Sequence, residues 1–333
     1  MDILLLLSGY PGNVNSLKDT RMANTNNVDM DKFIRGHKYF NKLLKEHNTK
    51  VICSIWDKVG INQVKKYYKP VKCNSKNQRL FQETFSKSFG KFEDKRIIKR
   101  YEWYKNKKMR DDYFVPTSRY ASQIFIRQDV CRQAISYLKN KKFQPEIIIL
   151  SRFDIGSRGG ILVRNPVEIT KQIYSFFSRN EGKPAIVVPE FNQLNFGFPD
   201  MWFYLNKDSL FEMNNIYDVY INSVFDLKSE YMHYVIQGWP YSEWFNIENK
   251  NDKKQFSNIV LNKKENKKLM KYLDWEATNI HMFYKYFFSL RKTSYKIFFS
   301  KGINSHFAML KFTNVIYYLK SIFNLILIIL KKN

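Results

Sequence analysis

Glycine and proline are scarce in this chain, at 12 and 9 of 333 residues. That scarcity excludes collagen-like repeats and linker-rich, low-complexity protein. Cysteine is scarcer still. Cys53, Cys73 and Cys131 are odd in number and have no metal spacing, and only 5 His are scattered along the chain. A structural zinc site is therefore not expected, and a reducing compartment fits the cysteine usage. Long apolar runs are missing too: no segment reaches the roughly 18–20 uninterrupted apolar residues of a membrane-spanning helix. The opening run, Ile3-Leu4-Leu5-Leu6-Leu7, follows Asp2 with no basic residue before it. It is shorter than the about 7–15 apolar residues of a signal-peptide core. It reads as a buried first strand that stops at Ser8-Gly9-Tyr10-Pro11-Gly12.

Acidic residues are also in deficit, 30 Asp and Glu against 56 Lys and Arg, for a formal charge of +26. Such an excess calls for an anionic partner: nucleic acid, a bilayer or a phosphorylated substrate. Abundant Lys, Asn, Ile and Tyr are also what AT-rich coding produces, an alternative source for part of the basicity. The 44% hydrophobic content excludes a wholly disordered chain. The length accommodates one large domain or two smaller ones.

Strand and helix patterns alternate through the first two thirds. Val51-Ile52-Cys53-Ser54-Ile55, Ile147-Ile148-Ile149-Leu150 and Ala185-Ile186-Val187-Val188 resemble the first strand. Between them, Met30, Phe33, Ile34, His37, Phe40 and Leu44 follow helical spacing, as do Tyr120, Ile124, Cys131, Ile135 and Leu138. Residues 74–114 are dense in basic and aromatic residues without one clean period, and read as a surface insertion with short helices. The pattern predicts an α/β fold, with a mostly parallel sheet covered by helices on both faces. Residues 1–250 would form that domain. Residues 251–333 would be a basic helical C-terminal region, and its last segment, 315–330, would be an interfacial helix or a core helix. Cys53 and Cys131 lie on apolar faces and are expected in the core.

In such a sheet, ligands sit at the strands' carboxyl ends. Those ends carry Gly9-Tyr10-Pro11, Trp56-Asp57, Arg152-Phe153-Asp154 and Glu190-Phe191-Asn192-Gln193. In extended backbone Arg152 and Asp154 face the same side. An aspartate there can hold Mg²⁺ or Mn²⁺ against a diphosphate, and an arginine can bind phosphate oxygens. The alternative is a structural ion pair at the strand end. Asp57 can contact a nucleotide or cap the next turn. Asp200 and Glu243 are carboxylates suited to a general base. Trp202, Trp239 and Trp244 suit sugar stacking or core packing, and His281 suits a diphosphate contact or a packing role.

Five stretches resemble, in order and spacing, a bacterial family of surface-polysaccharide glycosyltransferases: Leu4-Leu5-Leu6-Leu7-Ser8-Gly9-Tyr10-Pro11, Ile55-Trp56-Asp57, Leu150-Ser151-Arg152-Phe153-Asp154, Asn192-Gln193-Leu194-Asn195-Phe196-Gly197 and Ser242-Glu243. The resemblance implies a GT-A-like fold and a nucleotide-sugar donor bound by Gly9, Tyr10, Pro11, Asp57, Arg152, Asp154, Asn192 and Gln193. It implies a divalent metal, Mn²⁺ or Mg²⁺, on Asp154; since Asn192 cannot take a proton as a carboxylate can, Asp200 or Glu243 is the expected catalytic base if the enzyme inverts. The acceptor would be a lipid-linked or polysaccharide hydroxyl of capsule or lipopolysaccharide. The protein would lie in the cytoplasm, peripheral at an anionic membrane surface. Two positions depart from the family pattern: Gly12, where arginine is usual, and Asn192, where aspartate is usual. The competing classes are a nucleic-acid-binding protein and another capsule-assembly transferase such as a sugar-phosphate transferase. No helix-turn-helix, zinc-finger or RNP-type stretch supports nucleic acid, which makes it the disfavoured partner.

Overall fold

The computed structural model describes residues 1–11, 30–58, 60–89, 117–153, 173–189, 198, 200, 202–225, 229–231 and 280–298. Seven strands form one sheet: β1 (Asp2–Gly9), β2 (Asn48–Trp56), β3 (Lys72–Lys76), β4 (Ile147–Arg152), β5 (Ala185–Pro189), β6 (Trp202–Leu205) and β7 (Ser294–Phe298). Their order is β3-β2-β1-β4-β6-β5-β7. All run parallel except β6, which is antiparallel to both β4 and β5. The sheet is thus mixed and mostly parallel, as the alternating pattern predicts.

Helices cover both faces. On one, α1 (Met30–Glu46), α2 (Ile61–Tyr68) and α5 (173–178) bury Phe33, Phe40, Leu43, Val64, Tyr68, Ile173 and Phe177. On the other lie α3 (78–89), α4 (Thr117–Asn140), α6 (Lys207–Glu212), α7 (Ile216–Val224) and α8 (Ile280–Leu290). The continuous apolar run of β1 has its cause here. Successive strand side chains point to opposite faces, so Ile3, Leu5 and Leu7 enter one core while Leu4 and Leu6 enter the other.

Two expectations need correction. The sheet domain does not end at residue 250: β7 pairs in parallel with β5, from Ala185↔Ser294 to Pro189↔Phe298. The α8 side chains Phe283, Tyr284, Phe287 and Phe288 are buried in the same core as α4. The region 74–114 is not wholly a surface insertion either. Its first residues complete β3 and α3, and Phe81 and Phe85 are buried against Trp56, Phe125 and Phe225. Residues 90–114 lie outside the described residues, as do 315–330. No helix among the described residues is long and apolar enough to cross a membrane.

The cysteines behave as their apolar settings imply. Cys53 and Cys131 are buried, and burial pushes the Cys131 thiol up to about 12. Cys73 is half-buried, directly opposite Cys53 on the neighbouring strand.

Leu5 is fully buried at the middle of β1, flanked by Val51 and Ile149. Leu5→Ala is expected to lower stability by about 2–5 kcal/mol through lost burial plus a cavity. Urea unfolding should show a lower midpoint with an unchanged slope.

Candidate functional site

The strand order sets where a ligand fits. From β1 the chain moves outward to β2 and β3, then returns to place β4 on the other side of β1. The crevice beyond the carboxyl ends of β1 and β4 is therefore a topological switch point, where open α/β sheets bind ligands.

Parallel register also aligns a row of polar residues there. Asn74 of β3, Ser54 of β2, Ser8 of β1 and Arg152 of β4 are direct neighbours across four strands. Residues in register share a face, and this row faces α4. Ser54 Oγ donates to Asp129 Oδ2 at 2.7 Å, Gln133 Nε2 donates to the same oxygen at 2.8 Å, and Lys76 Nζ lies 2.9 Å from Asp129 Oδ1.

Just beyond the row, β1 ends at Gly9, whose φ is +107°. No atom lies within 4 Å of where a Cβ would stand, so backbone conformation and not space calls for glycine. Tyr10 follows, and Pro11 is buried. The Tyr10 hydroxyl donates to Gln78 Oε1 and reaches Asp57 Oδ2 at 3.4 Å. Burial, reinforced by the Asp57 charge, holds the Tyr10 phenol well above its ordinary range.

Asp57 itself is left-handed, with φ +49°. Its N–H donates to the Lys76 carbonyl at 2.7 Å, and its Oδ1 accepts the Gln78 N–H at 3.0 Å. The Asp57 carboxylate thus braces the ends of β1, β2 and β3 together, a bridge between strands and not a cap on the turn that follows it.

On the β4 side, Arg152 Nη1 donates to Asp200 Oδ2 at 3.1 Å, with side-chain exposures of 29% and 13%. Gln123 of α4 donates to the same carboxylate oxygen. Arg127, fully buried, sends one N–H to the Asp200 backbone carbonyl and another to Tyr284 Oη at 2.8 Å. Its guanidinium carbon lies 5.5 Å from the Phe203 ring centroid and 5.3 Å from that of Tyr284. His281, at the start of α8, donates Nδ1–H to the Phe198 carbonyl at 3.0 Å, and Phe198 N–H returns a bond to His281. Burial alone would raise the Asp200 carboxyl. Arg152, His281 and Arg127, with the Gln123 amide, outweigh it and hold the group well below the ordinary carboxylate range.

Of the sequence-predicted residues, Gly9, Tyr10, Pro11 and Asp57 come together at the ends of β1 and β2, while Arg152 and Asp200 pair at the end of β4. Asp154, Asn192, Gln193 and Glu243 lie outside the described residues, as do Gly12, Trp239 and Trp244. Trp202 is buried and meets Tyr204 edge-on at 5.1 Å, a packing role. The residues that sequence reasoning missed are Gln123, Arg127 and Tyr284. The available signal was Gln123 and Arg127 spaced i, i+4 beside the apolar stripe of α4, a spacing that puts both on one side.

The described residues do not fit a divalent cation by themselves. Both oxygens of Asp57 are engaged by Gln78 and Tyr10, and Asp200 Oδ2 is held by Arg152 and Gln123. Among the described residues no group of three or more His, Cys, Asp or Glu could hold a metal ion. No family model, curated protein or solved structure matches this chain.

Because its folded-state proton affinity is depressed, the Asp200 carboxylate contributes stability that is present above its ordinary pKa of 3.8 and is lost as pH falls toward the depressed value. Asp200→Asn should cost about 1–2 kcal/mol at neutral pH, less than the about 3–5 of a fully buried pair because Arg152 keeps partial solvent access. It should also flatten the acid limb. Urea midpoints measured from pH 7 down to pH 3 check both; identical acid limbs in the two proteins would rule this assignment out.

Proposed function

We propose that this protein is a GT-A-like glycosyltransferase, moving a sugar from a nucleotide-sugar donor to a hydroxyl of a lipid-linked or polysaccharide acceptor in capsule or lipopolysaccharide assembly. The observation that carries the reading is the junction of Gly9-Tyr10, Asp57 and Arg152 at neighbouring strand ends, at the switch point of a mostly parallel sheet. These are the residues that the family resemblance assigns to the donor.

In this reading the donor's diphosphate leaves as the acceptor hydroxyl attacks the anomeric carbon. Arg152 neutralises charge developing on the leaving group. Asp200, Gln123 and Arg127 orient that guanidinium, so that little reorganisation is needed during the reaction. The Gly9 turn and the Tyr10–Asp57–Gln78 brace shape the nucleotide side. Asp200 is held as a carboxylate of low proton affinity, which makes it a weak base and gives it the positioning role. Glu243 is then the candidate base. A metal, if used, would rest on Asp154. The protein would work in the cytoplasm, at the inner membrane surface where lipid-linked acceptors lie.

The test is a thermal-shift screen of nucleoside diphosphates with and without Mn²⁺, followed by sugar-nucleotide turnover. A nucleoside diphosphate should stabilise the wild type, and Arg152→Ala should lose that shift together with about 10²–10³ in turnover. Asp154→Asn should abolish transfer while leaving folding intact. Full activity of Asp154→Asn, or equal turnover in EDTA, removes the metal. Absence of any nucleotide shift or turnover in the wild type removes the transferase reading.

A further inference from the structure

Charge is distributed unevenly over the described residues. Residues 38–89 hold 12 Lys and Arg against 3 Asp and Glu, and residues 58–82 hold 7 cations and no acid. The described residues from 117 onward hold 14 cations against 8 acids over twice the length.

Six of those twelve cations gather on one surface. Lys38, Lys42 and Lys45 of α1 are exposed, as are Lys65 and Lys66 of α2 and Lys69 at its cap. The two helices abut: His37 meets the Tyr67 and Tyr68 rings edge-on at 5.2 and 5.1 Å, and donates Nε2–H to the Tyr67 carbonyl at 3.1 Å. Their apolar faces are turned into the core through Phe33, Phe40, Leu43, Val64 and Tyr68, so the lysines share one outer layer. Among the described side chains of that layer the acid is Glu46, which lies 3.7 Å from Lys42. Lys38, Lys45, Lys65, Lys66 and Lys69 have no ion-pair partner among the described residues.

Folding does not require this arrangement. Lys38–Lys42 and Lys65–Lys69 are like-charge i, i+4 pairs, which destabilise a helix. The helix dipole favours a cation in each last turn, but one per helix suffices. Lysine also protects an exposed sheet edge from pairing, and Lys72 and Lys76 on β3 meet that need without the helical lysines.

We infer that the outer face of α1 and α2 docks on an anionic lipid bilayer. Lysine stems can lie along the headgroup region with their ammonium groups at phosphate level. Val71, 46% exposed beside Lys69 and Lys72, supplies an aliphatic contact at the rim. A single-stranded nucleic acid would need rings presented for stacking, whereas Tyr67 and Tyr68 pack edge-on against Phe33 at 5.5 and 5.7 Å. This inference stands on charge and helix packing and not on the transferase reading, although a lipid-linked acceptor would occupy the same bilayer.

The experiment is co-sedimentation of the full chain with phosphatidylcholine vesicles, with and without phosphatidylglycerol, at low and high salt. Near an anionic surface each lysine is worth about fivefold in partition, so K65Q/K66Q/K69Q should bind phosphatidylglycerol vesicles about a hundredfold more weakly. Wild-type binding should fade in high salt. K139Q/K141Q/K142Q removes the same charge from exposed sites at and just beyond the end of α4, and should bind as the wild type does. Circular dichroism and melting check that both variants fold. The inference is overturned if the α2 variant partitions like the wild type, or if the control falls equally. It is also overturned if the wild type ignores the vesicles, with retention on single-stranded nucleic acid then reassigning the face. Failure of sugar transfer with vesicle binding intact would remove the proposed function and leave this surface standing.

Discussion

Burial of β1 on both faces is the constraint from which the architecture follows. A strand whose residues 3 to 7 are all apolar cannot lie at a solvated face, so it needs a helical layer above and below. Parallel neighbours need crossover helices, and these supply the layers: α1 and α2 on one side, α4 on the other. Parallel strands also end on the same side. Two requirements of packing, a doubly covered strand and connections long enough to join parallel neighbours, therefore collect Gly9, Trp56-Asp57 and Arg152 along one edge before any chemistry is considered.

Helix α4 has two jobs along its length. Ile124, Val130, Cys131, Ile135 and Leu138 are buried against the sheet, and that packing fixes the helix axis. The same helix carries Gln123, Arg127, Asp129 and Gln133 toward the polar row. Arg127 is the costliest of these, a guanidinium fully buried among aromatic rings. Burying a charge costs less when its donors are used; here Nη2 and Nη1 reach the Asp200 carbonyl and the Tyr284 hydroxyl, while Nε has no hydrogen-bond partner among the described residues. The arrangement ties three distant stretches of chain to one point: α4, the approach to β6, and α8. Asp200 is thereby placed for Arg152, and its charge is stabilised by the cations around it. The last described elements of the chain, α8 and β7, belong to the framework of the site as much as β1 does.

How much of this was legible in the sequence can be traced by element. β1, β2, β4 and β5 are apolar runs bounded by polar or loop residues, and α1, α2 and α4 carry helical spacing, so each could be read locally. β3, Lys72-Cys73-Asn74-Ser75-Lys76, could not. It is an edge strand whose residues are all half-buried, and edge strands need no apolar pattern. β6 has four residues, too few to display a period, and its reversed direction depends on pairing with both β4 and β5. β7 was hidden in a basic stretch because its place is conferred by β5, more than a hundred residues earlier.

The candidate site divides the same way. Local chemistry, by itself, determined that Gly9, Asp57 and Arg152 stand at strand ends, since a strand's end is visible where its apolar run stops. What only the tertiary structure decided is what each group is joined to. Asp57 is a brace because β3 brings Gln78 beside it. Asp200 is a positioning carboxylate because Arg152, 48 residues away, and Arg127, 73 residues away, converge on it. Proton affinity and orientation depend on distances between charges, and those distances exist only once the sheet and α4 have packed.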